Sequence, residues 1–452
     1  MKFLAILKDS FREAVDGFVI YVMVGLSTLV ILLVACIGYK PVPAEKAFAS
    51  MLGSLRFVNA DRGRSAIHGF PMSGVGFTVS DLQKLNEAEL AQEGDYRLRL
   101  HIEDTVVGGL GGNRPQIVPK KDRMFFQGVA NWAHTPGPNS NPDPDAVTDD
   151  LIADFVKDAF ETEGNVQVMK IDRLPDVGPT HYVFQVETKG RKGARGWLHQ
   201  PNLLFGAIEI PIEVPLGVMV YMIQDQLVNG FGAWITLLIA VVLTAFFFPN
   251  LMRKGAIDLV LSKPINRVTL LIFKYVGGLT FVFLNTAYAV GGVWLVLGLR
   301  SGIWSSGFLL TIFGITFYFA ILYAVSTLIG VLTRNAIASI LVTIAFWFLM
   351  WIVGFVYSFV DLVKHEPGFK DRIPKWVVVT VDTAHAVLPR TKDLDKLTTK
   401  LVVQGTLGES DKRRRTLDNL SWPSWGEVLG VSLAHIALML GLASLRFVKR
   451  DF

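Results

Sequence analysis

GFVIYVMVGLSTLVILLVACIGY, residues 17–39, decides the class of fold. It holds no charged residue, and at 1.5 Å per residue a helix of this length crosses a hydrocarbon core of roughly 30 Å. We read it as a transmembrane helix. Upstream, MKFLAILKDSFREA places Phe3, Leu4, Leu7, Phe11 and Ala14 on one helical face, with Lys2, Lys8, Asp9 and Arg12 elsewhere. That is the pattern of an amphipathic helix lying in the membrane interface over residues 1–16. Basic residues before the span and their scarcity after it put the N-terminus in the cytoplasm. Leu33-Val34-Ala35-Cys36 has the form of a bacterial lipidation signal, but the apolar run is longer than a signal h-region and later spans make a lipid anchor redundant. Cys36 therefore reads as a buried thiol.

The remainder of the 452 residues has the same bias: 51% are hydrophobic, 18% are charged, and the mean hydropathy is +0.42. Such a composition needs lipid as solvent for about half the chain. The net charge of +5 sits at the ends of apolar runs, which is membrane topology and excludes a nucleic-acid surface as its explanation. One cysteine excludes an intrachain disulfide and any cysteine-based metal cluster.

From Lys40 to Glu213 the sequence turns polar and punctuated by Gly and Pro, which predicts a separate α+β domain. Tyr96-Arg97-Leu98-Arg99-Leu100-His101-Ile102 alternates with the period of a half-buried strand. Further strands are expected near 123–130, 165–171, 181–188 and 203–214. Helices are expected at 80–91, where Ser80 and Gln83 form a capping-box pair, and at 148–161 behind Thr148. NWAHTPGPNSNPDPD, residues 131–145, reads as a surface loop.

After a juxtamembrane approach from 214, Phe231–Phe248 is the second span, ended or kinked by Pro249. Four more spans are expected near 275–298, 308–332, 337–360 and 425–446. The chain then reads as an α-helical integral membrane protein of about six transmembrane helices with an inserted extracytoplasmic α+β domain. Both termini lie inside. Arg253, Lys254, Lys263, Arg267, Lys274, Arg334, Arg446, Lys449 and Arg450 fall at predicted inside ends. The predicted outside loop 361–424 is also basic, with Lys412-Arg413-Arg414-Arg415, a departure that loops of roughly 60 residues tolerate.

Between spans two and three lies RKGAIDLVLSKPINRVTLLIFK, residues 253–274, too short for a domain and too charged for lipid. Ile257, Val260, Leu261 and Ile265 recur at helical spacing opposite Lys254, Asp258 and Ser262, so 251–268 should hold a short cytoplasmic amphipathic helix interrupted at Pro264. Pattern alone leaves open whether it docks on a partner protein or merely meets anionic headgroups.

Here the chain resembles the membrane subunits of type-2 ABC exporters, in particular those with a large exported domain between the first two spans. The resemblance is carried by Gly255-Ala256, Asp258, Leu259-Val260-Leu261, Ser262-Lys263-Pro264, Ile265 and Arg267, followed by Lys274 and Gly277. The six-span plan, the amphipathic N-terminus and the C-terminal Arg446-Phe447-Val448-Lys449-Arg450-Asp451-Phe452 agree with it. The chain departs where many members carry a glutamate just before the glycine; here the residues are Asn250-Leu251-Met252-Arg253. The resemblance implies that Arg253, Lys254, Gly255, Asp258, Ser262, Lys263, Pro264 and Arg267 couple to a cytoplasmic ABC ATPase. It also implies pairing with a second, identical or similar permease in the bacterial inner membrane. ATP and magnesium would then be bound by the partner ATPase and no cofactor by this chain.

The sequence has no G-x-x-x-x-G-K-[ST]; GGLGGN at 108–113 lacks the lysine. It has no H-E-x-x-H, no other ligand-spaced histidine pair and no G-x-S-x-G, so no catalytic or metal-binding constellation is expected. Asp382 and His385 read as a surface polar pair. Polar residues inside spans mark a possible substrate path: Asn285 and Thr286, Thr316 and Ser326, Thr343, and His435. His435 reads as a neutral imidazole bonded to a neighbouring helix. Beside the transporter reading stand a membrane-anchored binding or scaffold protein and, with the least support, an enzyme.

Overall fold

A computed structural model describes residues 19–53, 75–85, 95–104, 119–133, 143–163, 166–178, 181–190, 194–252, 266–364, 374–408, 414 and 422–449. The chain forms two compact units. One comprises Ile37–Met219 with Leu407–Thr416; the other comprises the segments up to Cys36, Val220–Thr406 and from Leu417 onward.

The membrane unit contains α1 (Val19–Ala35), α6 (Phe231–Thr244), α7 (Phe247–Leu251), α8 (Arg267–Ser301), α9 (Ser306–Thr333), α10 (Ala336–Lys364) and α13 (Trp425–Val448). Among the described residues five helical stretches are long and apolar enough to cross a membrane, beginning at Leu216, Arg267, Ser306, Ala336 and Trp425, and a shorter apolar helix covers Ile20–Ala35. The break between α6 and α7 falls at Ala245–Phe246, one turn before Pro249. The proline has no N–H to offer the Ala245 carbonyl.

α9 is the centre of the unit. Every side chain from Phe319 to Thr327 is buried, as befits a helix apolar all round. Tyr275 of α8 stacks on Tyr323 of α9 with ring centroids 5.1 Å apart and donates to the Ala320 carbonyl at 2.8 Å. Gly278 makes this approach feasible, since a Cβ there would lie 2.6 Å from the Tyr323 hydroxyl. α10 instead turns Ile337, Leu341, Phe348, Phe355 and Phe359 outward.

The segment 361–424, expected as a loop, contains two helices, α11 (Lys375–Val387) and α12 (Thr391–Thr406). α12 packs on α9: Leu394 and Leu397 cluster with Val428, Phe317 and Tyr318. Gly307 lies so close to α12 that a Cβ would sit 2.0 Å from the Leu401 carbonyl oxygen. His385, expected beside Asp382 at the surface, is instead buried. It stacks flat on Tyr357 at 3.6 Å between ring centroids, with Nε2 3.1 Å from Asp393. The run at 412–415 is described only at Arg414.

The other unit is built on an antiparallel sheet in the order β2 (Val75–Lys84), β3 (Tyr96–Asp104), β5 (His181–Gly190), β4 (Val166–Gly178). β3 alternates as expected: Leu98, Leu100 and Ile102 are fully buried while Arg97 and Arg99 face outward. α2 (Ala44–Gly53), α3 (Met124–Ala133) and α4 (Asp149–Glu163) supply Phe48, Phe125, Phe155 and Phe160 to the core. Phe48 meets Tyr96, Phe160 and Trp197 edge-on, each within 5.7 Å. A second sheet pairs β1 (Gly38–Pro41), β6 (Leu198–Leu203), β7 (Ile208–Glu209) and β8 (Val214–Pro215) around β6. After β8 comes α5 (Leu216–Val228).

Two expectations in this unit are overturned. Residues 75–84 form a strand where a helix from Ser80 was expected, because the Ser80 hydroxyl meets His101 across the sheet rather than capping a helix. Residues 124–133 form a helix where a strand was expected. Phe125, Phe126, Val129 and Ala130 make one buried helical face, a spacing that a short apolar run conceals. At 203–214 the expected strand is only two short pairings, β7 and β8, which follow a turn at Leu204–Gly206. The expected loop at 131–145 begins as the end of α3, and 134–142 lie outside the described residues. α4 begins as expected, with Thr148 Oγ1 accepting from the Leu151 amide at 3.3 Å.

Candidate functional site

The membrane unit carries a half-open apolar pocket of about 260 Å³ lined by α1, α6 and α8, with Leu227 of α5 and Phe308 and Ile315 of α9 at its wall. Met23, Leu26, Val30, Ile239, Ala289 and Val293 give it an aliphatic lining. Its polar groups come from α1, α6 and α8; Thr236 of α6 returns its hydroxyl to the Gly232 carbonyl at 2.8 Å. Ser27 Oγ donates to Asn285 Oδ1 at 3.3 Å, and Thr286 beside it is buried with its hydroxyl unpartnered among the described residues. An apolar chamber with a few convergent polar groups is the form of a small-molecule site.

Two of the six expected path residues thus share the cavity and four do not. Thr316 returns its hydroxyl to the Ile312 carbonyl of its own helix at 2.7 Å. Ser326 meets Ser339 at 2.9 Å in the α9–α10 contact, and Thr343 donates to the Ser339 carbonyl of its own helix at 2.7 Å. His435 stacks on Phe346 with centroids 5.3 Å apart, and its Nε2 has no hydrogen-bond partner among the described residues. The expected bond from this imidazole to a neighbouring helix is replaced, at Nε2, by ring contact.

A polar layer lies elsewhere in the unit, on α5, α12 and the start of α9. Thr406 donates to Gln224 Oε1 at 2.5 Å, and its oxygen accepts from the Ser305 hydroxyl at 2.9 Å. Asn229 donates to Asp225 at 2.9 Å and to Thr399 at 2.8 Å, while accepting from Thr398 at 2.9 Å. Asp395 lines a narrow cleft of about 20 Å³ beside Asn229, Trp234, Tyr318 and Trp347. Burial pushes its carboxyl up to about 7, against the pull of Lys392 and with help from Asp225 and Asp393. Gln224 and Asp225 were legible as polar interruptions of an apolar stretch; their partners on α12, roughly 170 residues away, were not.

Of the expected coupling residues only Arg267 lies within the described residues; Arg253, Lys254, Gly255, Asp258, Ser262, Lys263 and Pro264 lie outside them, as does the amphipathic helix expected at 1–16. Asn266 caps α8, its Oδ1 accepting from the Val268 amide at 3.1 Å, and Arg267 opens that helix with Nη1 3.4 Å from the Val448 carbonyl. Lys274 is buried two turns further on, over the Phe247 ring at 5.6 Å.

A family model for ABC-2 family transporter proteins matches residues 5–452. The chain belongs to that family. It is an integral membrane permease of the ABC-2 type, a membrane component and not itself an ATPase. No curated protein matches the chain. Among the described residues of this ABC-2 permease no group of three or more His, Cys, Asp or Glu side chains is placed to hold a metal ion.

Proposed function

We propose that this ABC-2 permease exports an amphiphilic cargo across the bacterial inner membrane, driven by a separate cytoplasmic ATPase. The cavity between α1, α6 and α8 carries the reading. Its aliphatic lining and volume of about 260 Å³ suit an acyl chain or similar apolar body, and Ser27, Asn285 and Thr286 offer a small polar head its hydrogen bonds. Two permeases pair, and ATP-driven closure of two ATPases pushes the segment Arg253–Arg267, whose charged and apolar residues form the coupling helix. The unit Ile37–Met219 faces the extracytoplasmic side and receives or hands on the cargo. Both termini are cytoplasmic.

The test is affinity purification of the full-length protein in detergent, wild type against an Asp258→Arg, Arg267→Glu double charge reversal. An ATPase should co-purify with the wild type and be lost from the variant at equal permease yield. Intact wild-type permease that brings down no ATPase would sink the transporter reading.

A further inference from the structure

Ser80, His101 and His181, which the sequence scatters over a hundred residues, converge on the sheet of the unit Ile37–Met219. Leu98, Leu100 and Ile102 point β3 into the core, so His101 stands on the opposite face. Thr78 opposes His101 across β2, and Ser80 follows on that same outer face; His181 opposes Glu103 across β5. Ser80 Oγ lies 2.7 Å from His101 Nε2, and His101 Nδ1 lies 3.0 Å from His181 Nε2. All three residues are partly exposed.

Two proton arrangements satisfy both contacts. In one, the Ser80 hydroxyl donates to Nε2 and Nδ1–H donates to His181, which gives the order hydroxyl, base, orienting group that activates a serine nucleophile. The backbone next to the serine is special as well. The β2–β3 register shifts between Ser80 and Gln83, and Asp81 takes a φ of 50°. A bulge takes its extra residue out of the ladder, here immediately after the serine. The amide following a nucleophile is where acyl-transfer sites place an oxyanion donor.

We propose that Ser80, His101 and His181 form an acyl-transfer site that hydrolyses carboxylic esters, an activity independent of the transport reading. Ser80 Oγ bonds to the acyl carbon as its proton passes to His101 Nε2. The carbon–oxygen bond to the leaving group breaks, and the alcohol departs with that proton. Water then attacks the acyl-serine, yielding its proton to His101. The Ser80–acyl bond breaks, Ser80 recovers the proton, and a carboxylic acid is released. His181 is a positioning residue that holds the His101 ring and tautomer.

The experiment uses the full-length protein in detergent with p-nitrophenyl butyrate and a fluorophosphonate probe. Wild type should turn over the ester and carry the probe on Ser80 by peptide mass spectrometry. Ser80→Ala should abolish both, and His101→Gln should lower kcat by about 10²-fold or more. His181→Gln should lower kcat with little change in KM. His181→Glu, whose carboxylate has the reach of the His181 Nε2, should restore kcat and move the acid limb of the pH profile upward, because a carboxylate stabilises the imidazolium. A monodisperse wild type with no label on Ser80 overturns the proposal, as does turnover that survives Ser80→Ala. Turnover abolished by EDTA would give the histidines to a metal and likewise overturn it.

Discussion

Both units have apolar interiors, but they place their polar residues and their large apolar ones differently. On β3 the core takes Leu98, Leu100 and Ile102 while Arg97 and Arg99 stay out. In the membrane unit Gln224, Asn285, Thr286, Ser326 and Thr343 are inside, while Leu341, Phe348, Phe355 and Phe359 are outside. In water the apolar area removed from solvent drives packing. In lipid an outward phenylalanine already has an apolar neighbour, and helices associate through close contacts and hydrogen bonds. Equal side chains should therefore carry unequal weight in the two units.

Phenylalanine is the sharpest probe of that difference. Phe48 is fully buried among Tyr96, Phe160 and Trp197, so Phe48→Ala should destabilise its unit by about 3–5 kcal/mol. Phe348, 57% exposed on α10, should change the stability of the membrane unit by less than about 1 kcal/mol when truncated the same way. Thermal melts of the full-length protein in detergent compare the two. Equal losses would break the contrast and place Phe348 in a protein contact.

Close approach is the next lever. Gly307 would need about 1.5 Å of movement to admit a Cβ beside the Leu401 carbonyl, 2.0 Å away, and that oxygen belongs to a helix backbone. Gly307→Val should cost about 1–3 kcal/mol by parting α9 from α12. Cross-linking of cysteines introduced on those two helices would register the separation; unchanged cross-linking and melting would show that α12 is not held where Gly307 puts it.

Legibility followed the range of the interaction. Five of the six expected spans, β3, β5 and α4 were readable because each announces itself within its own residues, by length, alternation or a cap at Thr148. β2 was misread because Ser80 and Gln83 have the spacing of a local cap, while the partner that claims Ser80 is His101 on another strand. α12 was missed because TKDLDKLTTKLVVQGT is polar by composition, and its Thr406 and Thr398 find their partners on α5 and on Asn229 just after it. The cavity was half-legible: Asn285 and Thr286 stood out as polar residues in an apolar span, but nothing local ties Asn285 to Ser27, 258 residues away. The same distance effect hid the histidine pair.

The polar layer offers the finest test, through Asp395. Its carboxyl titrates near 7 in the folded protein against the ordinary 3.8, burial being the main cause, with Asp225 and Asp393 adding to it and Lys392 opposing. A raised carboxyl pKa means that the folded state holds a proton the unfolded chain has released. Between about pH 4 and 7 this group therefore makes stability fall as pH rises, and above pH 7 the loss is complete. Asp393, on the same helix, works the other way. Burial alone would raise its carboxyl, but His385, Lys396 and Arg390 together hold it below 3.8, so its stabilising contribution is lost only in stronger acid. Asp395→Asn removes the charge while keeping the shape. It should raise the melting temperature of the membrane unit by a few degrees at pH 8, leave it nearly unchanged at pH 5, and flatten the slope between. A variant that melts lower than wild type at pH 8 would instead make the Asp395 carboxylate a needed anion beside Lys392, and the layer would then be ionic rather than neutral.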